Sequence, residues 1–170
     1  MTTDARALGK IYNVGSVTVP TDAVAAAITG ARTSHRHCQG VSYIIVTTGG
    51  STDITDLDLQ EHSAYTSGTS QDLDIVTKMF YRSEASVDGD EAWTAWSQSA
   101  ASEVTNIGAA SEELVAVLDV GSEQLSDGFY YTSLNVPDLG SNGTRYVAII
   151  PIMYGLHVQR YPTNLAVPLS

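Results

Sequence analysis

The chain is poor in the residues that staple a fold or give it positive charge. One cysteine in 170 residues permits no internal disulfide, which excludes a disulfide-framed secreted scaffold and is compatible with maturation in a reducing cytoplasm. Only two lysines are present, Lys10 and Lys78, and eight basic side chains face 19 acidic ones, for a formal charge of -11. A surface of that sign repels phosphate backbones, so nucleic acid is not an expected partner. It suits solubility, or docking against a basic protein face. No apolar run approaches the roughly 20 residues that a membrane-spanning helix needs. The start, MTTDARALGK, places Asp4 where a leader would be basic and has no apolar stretch behind it, so no signal peptide is read. A membrane is therefore not an expected partner either.

Catalytic signatures are missing too. The sequence holds no G-x-S-x-G, no H-E-x-x-H and no phosphate-cradling glycine loop. Glu61-His62-Ser63 has the residue types of a hydrolase, but neighbours on a strand point to opposite faces and cannot assemble a catalytic unit by themselves. The expectation is a protein that is not an enzyme and carries no cofactor.

What the chain does have is alternation. Short apolar-polar segments recur at 11–19, 41–48, 56–61, 73–82, 92–97, 103–107, 114–120, 129–136, 145–153 and 156–167, separated by turn signals such as Gly49-Gly50, Asp88-Gly89 and Asp127-Gly128. About ten short strands punctuated this way predict an all-β protein, a β-sandwich or jelly roll, in one domain over residues 1–170. The segment from Pro20 to Gly30, PTDAVAAAITG, is either a short helix capped by Thr21 or Asp22 and ended by Gly30, or an extended run; alanine favours the helix. VSYIIVTT, continuously apolar from Tyr43 to Val46, reads as a central, well-buried strand.

Two clusters raise the question of a metal. His35, His37 and Cys38 fall within four residues, but the two histidines share one strand face while Cys38 points the other way, and no second ligand pair exists, since His62 and His157 lie far off. Asp88, Asp90 and Glu91 surround Gly89 without the spacing of an EF-hand loop, and an acidic hairpin turn explains them. Asp53, Asp56 and Asp58 read as a solvated edge. No metal site is expected.

Apolar and aromatic residues give a different lead. Trp93 and Trp96, three apart on a strand, face opposite sides, one toward the core and one toward solvent. The tail carries Leu156, Val158, Tyr161, Leu165, Val167 and Leu169, too apolar to stay solvated, with Pro162 and Pro168 suiting an extended arm over 154–170; residues 1–20 form a second candidate arm. These six tail residues and Trp96 are the expected interface, with another copy of the chain as the cover.

Five segments, taken in order, resemble small β-sandwich structural proteins of tailed bacteriophages. They are AAAITG (Ala25 to Gly30), QGVSYIIV (Gln39 to Val46) with Gly49-Gly50 beyond it, LDLQEHS (Leu57 to Ser63), DGDEAWT (Asp88 to Thr94) and RYVAIIPI (Arg145 to Ile152). The resemblance is to capsid decoration, or cement, proteins. It implies a jelly-roll-like module, often trimeric, made in the host cytoplasm and bound to the major capsid protein on the outer surface of the virion. The chain departs from that pattern where residues 63–83 separate Gln60-Glu61 from Asp88-Gly89, as if a hairpin had been inserted. The rival expectation is a carbohydrate-binding or adhesion sandwich, with Trp93 or Trp96 and the neighbouring Asp88 and Asp90 as a sugar platform.

Overall fold

The computed structural model describes residues 7–50, 54–140, 142–165 and 167. Within them twelve strands form two antiparallel sheets. The strands are β1 (Tyr12–Val14), β2 (Thr18–Asp22), β3 (Thr33–Ser34), β4 (Gly40–Thr47), β5 (Ile54–His62), β6 (Ser70–Asp72), β7 (Val76–Glu84), β8 (Thr94–Ala101), β9 (Glu103–Ile107), β10 (Glu113–Gly121), β11 (Tyr131–Asn135) and β12 (Tyr146–Tyr154). The large sheet runs β12-β4-β10-β7-β8, with β1 and β2 lying end to end along the free side of β12; the small sheet runs β3-β11-β5, with β6 and β9 sharing the far side of β5.

The sandwich follows from the alternation. Val41, Tyr43 and Ile45 of β4, Leu114, Ala116 and Leu118 of β10, and Val147 and Ile149 of β12 turn inward onto Leu57 and Leu59 of β5 and Leu134 of β11. Each fully buried side chain of this size contributes about 1.5 to 3 kcal/mol relative to exposure. The fold class expected from the sequence, an all-β sandwich, is the one observed.

Local chemistry explains where strands break. In an antiparallel strand the N–H and C=O of one residue face the same neighbour. Pro151 accepts from the Gly15 N–H at 2.8 Å, so its missing donor faces the segment where the single strand expected over 11–19 divides into β1 and β2. A side chain at Gly15 would press on Thr33 and Pro151. At the opposite margin, Ser102 alone separates β8 from β9, and the chain turns there from the large sheet into the small one; the Ser102 carbonyl accepts the Leu59 N–H at 3.0 Å.

Two expectations are corrected. No helix forms over 20–30: the chain stays in β2 to Asp22, turns, and bridges Ile28 to Val136, while Gly30 lies so close to the Leu134 backbone that a β-carbon would clash. Nor is 156–167 a strand. Its described part is irregular, with a 3₁₀ turn at Pro162–Asn164, and is pinned to the body where His157 N–H donates to His37 O (3.0 Å) and Arg160 N–H to Gly9 O (2.8 Å).

Arg145, the first residue of the RYVAIIPI motif, is completely buried. Its guanidinium donates to the carbonyls of Ala110 (2.9 Å) and Glu112 (3.0 Å) and to Thr47 Oγ1 (3.2 Å), clamping the β9–β10 turn onto the end of the sandwich.

Candidate interaction surface

Both buried histidines are taken up by hydroxyls. His35 places Nδ1 3.1 Å from Ser122 Oγ and Nε2 2.7 Å from Thr132 Oγ1, while His62 places Nδ1 2.7 Å from Ser70 Oγ and Nε2 2.8 Å from Ser133 Oγ. Burial lowers the pKa of each to about 4, helped at His62 by the nearby Arg32 charge, so both rings are neutral at pH 7. Neither has a carboxylate on its second nitrogen, the partner that would orient it as the base of a nucleophile triad. Glu61 turns away from His62 into the interior, accepting from Gln71 Nε2 (2.6 Å) and the Ser126 N–H (2.8 Å).

The metal-capable stretch is dispersed as well. His37 is exposed, Cys38 is fully buried, and burial pushes its thiol pKa up. Among the described residues one acidic group, Glu84, Asp90 and Glu91, brings carboxylate oxygens within 4.8 Å of one another. Glu91 is engaged in shaping its turn, accepting from the N–H groups of Asp88 (2.8 Å) and Gly89 (3.3 Å). Asp53 lies outside the described residues. Asp58 is partly buried and accepts from Asn135 Nδ2 at 3.4 Å.

The residues expected at an interface divide between the core and the surface. Trp96, opposite Met79, packs inward against the core, and Trp93 is the exposed member of the pair. Leu156 also packs on the core, and Leu165 lies against Gly9. Val158, Tyr161 and Val167 are exposed; Leu169 lies outside the described residues.

The surface that stands out is the outer face of the large sheet. Residues alternating with the core positions are Ile44 and Val46 on β4, Val115 and Val117 on β10, Ala148, Ile150 and Ile152 on β12, and Phe80 on β7. Register places them in rows: Ile150, Ile44, Val117 and Phe80 lie side by side across four strands, and Ala148, Val46 and Val115 form the row beside them. The outer face of an antiparallel sheet is commonly polar when solvated. Here Val46 is 40% and Phe80 42% exposed, and the others are partly buried. Charges sit at the margins, where Lys78 lies over the Phe80 ring (4.6 Å), Arg82 over Trp93 (5.3 Å), and Ser42 donates to Asp119.

The near-continuous apolar character of VSYIIVTT predicts a central, well-buried strand, and β4 is central in the large sheet. The fold supplies a cover for one of its faces.

A shallow cleft of about 260 Å³ lies between His35, Arg36, Ser122, Asp127 and Tyr130, with the Arg36 guanidinium 4.5 Å above the Tyr130 ring.

No protein-family model matches the chain, and no match is found among curated proteins or solved structures. The structure itself defines a two-sheet all-β sandwich whose large sheet carries apolar rows on its outer side, bordered by Ser42, Asp119, Lys78 and Arg82.

Proposed function

We propose that the chain is a non-enzymatic virion structural protein of the capsid decoration, or cement, type, which binds the assembled lattice of the major capsid protein and stabilises the head as a homo-oligomer. The observation that carries this reading is the row of apolar side chains on the outer face of the large sheet, where Val46 and Phe80 stand exposed. Contiguous apolar surface of that kind marks a protein built as one part of an assembly. The sandwich is held by a continuous core and by buried clamps such as Arg145, a rigid body suited to bridging other subunits. Its charge of -11 complements a basic coat surface and keeps the free protein soluble. A partner that binds only the assembled shell stabilises it by mass action, with no chemistry required.

The test is co-sedimentation of the purified chain with intact heads, followed by density for an 18.0 kDa sandwich on their outer surface. Saturable binding to expanded heads and not to free coat subunits is the expected result. Heads that neither retain the chain nor show such density overturn the proposal.

A second reading, a carbohydrate-binding module, draws on Trp93, 51% exposed beside the Asp88–Asp90 turn. Glycan retardation lost on Trp93→Ala would favour it.

A further inference from the structure

We infer that Asn142 is a site of spontaneous covalent modification, where the backbone nitrogen of Gly143 captures the side-chain amide carbon and water then leaves an acid in its place. The inference concerns the chain alone and holds whatever it assembles with.

The following residue singles the position out first. Of the five asparagines, Asn13, Asn106, Asn135 and Asn164 precede Val14, Ile107, Val136 and Leu165, whereas Asn142 precedes Gly143. A side chain on the next residue, above all a β-branched one, crowds the nitrogen that must turn back onto the amide. Glycine has none and takes backbone conformations closed to other residues. Gly143 already sits at φ 80°.

Placement is the second argument. Asn13, Asn106 and Asn135 lie within β1, β9 and β11, and Asn164 within the 3₁₀ turn, where regular structure fixes the backbone. Asn142, Gly143 and Thr144 belong to no strand or helix, and all three are exposed to water.

Tolerance is the third. One product of the reaction carries an extra carbon in its main chain, which a strand could not absorb. Here both ends of the loop are tied to one residue: the Leu139 N–H donates to Ala23 O (3.0 Å), and the Ala23 N–H donates to Arg145 O (2.9 Å). Arg145 is held again by its own N–H, which donates to Asp22 Oδ1 at 3.0 Å. The added length stays between those anchors and does not reach β11 or β12.

The reaction balances with water as the sole reagent. The Gly143 nitrogen bonds to Asn142 Cγ, the Cγ–Nδ2 bond breaks, the Gly143 N–H proton passes through water to the leaving nitrogen, and ammonia departs. Water then opens the cyclic imide. Cleavage at Cγ gives aspartate; cleavage at the main-chain carbonyl carbon gives isoaspartate, whose chain runs through Cβ and Cγ. Nothing is oxidised or reduced, and either product adds one negative charge to the formal -11.

Ageing the purified full chain in mildly alkaline buffer tests this, followed by ion exchange, intact mass and peptide mapping. The expected product is an acidic form with aspartate and isoaspartate at position 142. It should accumulate at least about tenfold faster than change at any other asparagine, a barrier difference of about 1.4 kcal/mol. Asn142→Gln, whose longer side chain must close a larger ring, should slow the acidic form by that factor or more. Should that variant fail to fold, the wild-type peptide map decides alone. Change at another asparagine as fast as at Asn142, an acidic form undiminished in Asn142→Gln, or aspartate without isoaspartate, the mark of direct hydrolysis, overturns the inference. Binding to heads is a separate measurement, so the decoration reading stands or falls apart from this one.

Discussion

Tyr43 and Thr132 reach across the sandwich to each other: the phenol oxygen from β4 of the large sheet lies 2.6 Å from the hydroxyl oxygen on β11 of the small one, both fully buried. Thr132 Oγ1 is also the partner of His35 Nε2, so one hydroxyl serves two rings inside an apolar core. Tyr43→Phe removes one bond and leaves Thr132 its other, which should cost about 1 kcal/mol. Thr132→Val takes the hydroxyl from both the phenol and His35 Nε2, leaving His35 only Ser122, and should cost more, about 2 to 3 kcal/mol. Urea unfolding of the two variants checks the order; equal losses would mean that the shared hydroxyl is not the link.

Acid should weaken the fold through two residues. His35 and His62 have folded pKa values lowered to about 4 from the unfolded 6.5, so their neutral forms stabilise the native state fully above pH 6.5. Between pH 6.5 and 4 the unfolded chain binds more protons, and stability falls as pH falls, by at most about 1.4 kcal/mol per pH unit for each ring. The melting temperature from pH 7 to pH 4.5 should drop steeply in the wild type and less steeply in His35→Gln or His62→Gln. Parallel curves would show that carboxylates alone set the acid limit.

Arg145 should be among the least replaceable residues. Arg145→Met keeps an apolar stem of similar length but strips the Glu112 carbonyl of its guanidinium donor and leaves the Ala110 carbonyl with the Gly50 N–H alone, at about 1 to 3 kcal/mol for the acceptor left without a partner. Hydrogen exchange should accelerate first in residues 108–113, ahead of the strands. Uniform acceleration would place the clamp's effect in the whole core instead.

The strands legible in the sequence are those whose pattern is local. β9 lies where Glu103 to Ile107 predicts it, and β4, β5, β10 and β12 differ from expectation by one or two residues at their ends. The misses have non-local causes. β6 is Ser-Gln-Asp, with no apolar residue to signal a strand, and exists because β5 pairs with it. β8 runs on to Ala101 through a polar stretch because β7 holds it at the sheet edge. Alanines at 25–27 favour a helix, but the close approach of Gly30 to β11 and the Ile28–Val136 bridge demand an extended chain.

The candidate surface was half legible. The apolar run from Tyr43 to Val46 breaks the alternation of a half-solvated strand, and Ile44 and Val46 carry that signal. Their neighbours Val117, Ile150 and Phe80 come from strands 36 to 106 residues away, and only pairing register brings them into one row. The fate of His35 was likewise unreadable, since its hydroxyl partners lie 87 and 97 residues along the chain.

Tyr12 opposes Tyr154 in an antiparallel pair, and beyond both the chain is tied again by Arg160 to Gly9. The two flanks therefore leave the sandwich side by side. Tension applied between them would peel β1 from β12 as a zip opens, one rung after another, whereas load entering through the β12–β4–β10 ladder would meet many rungs at once.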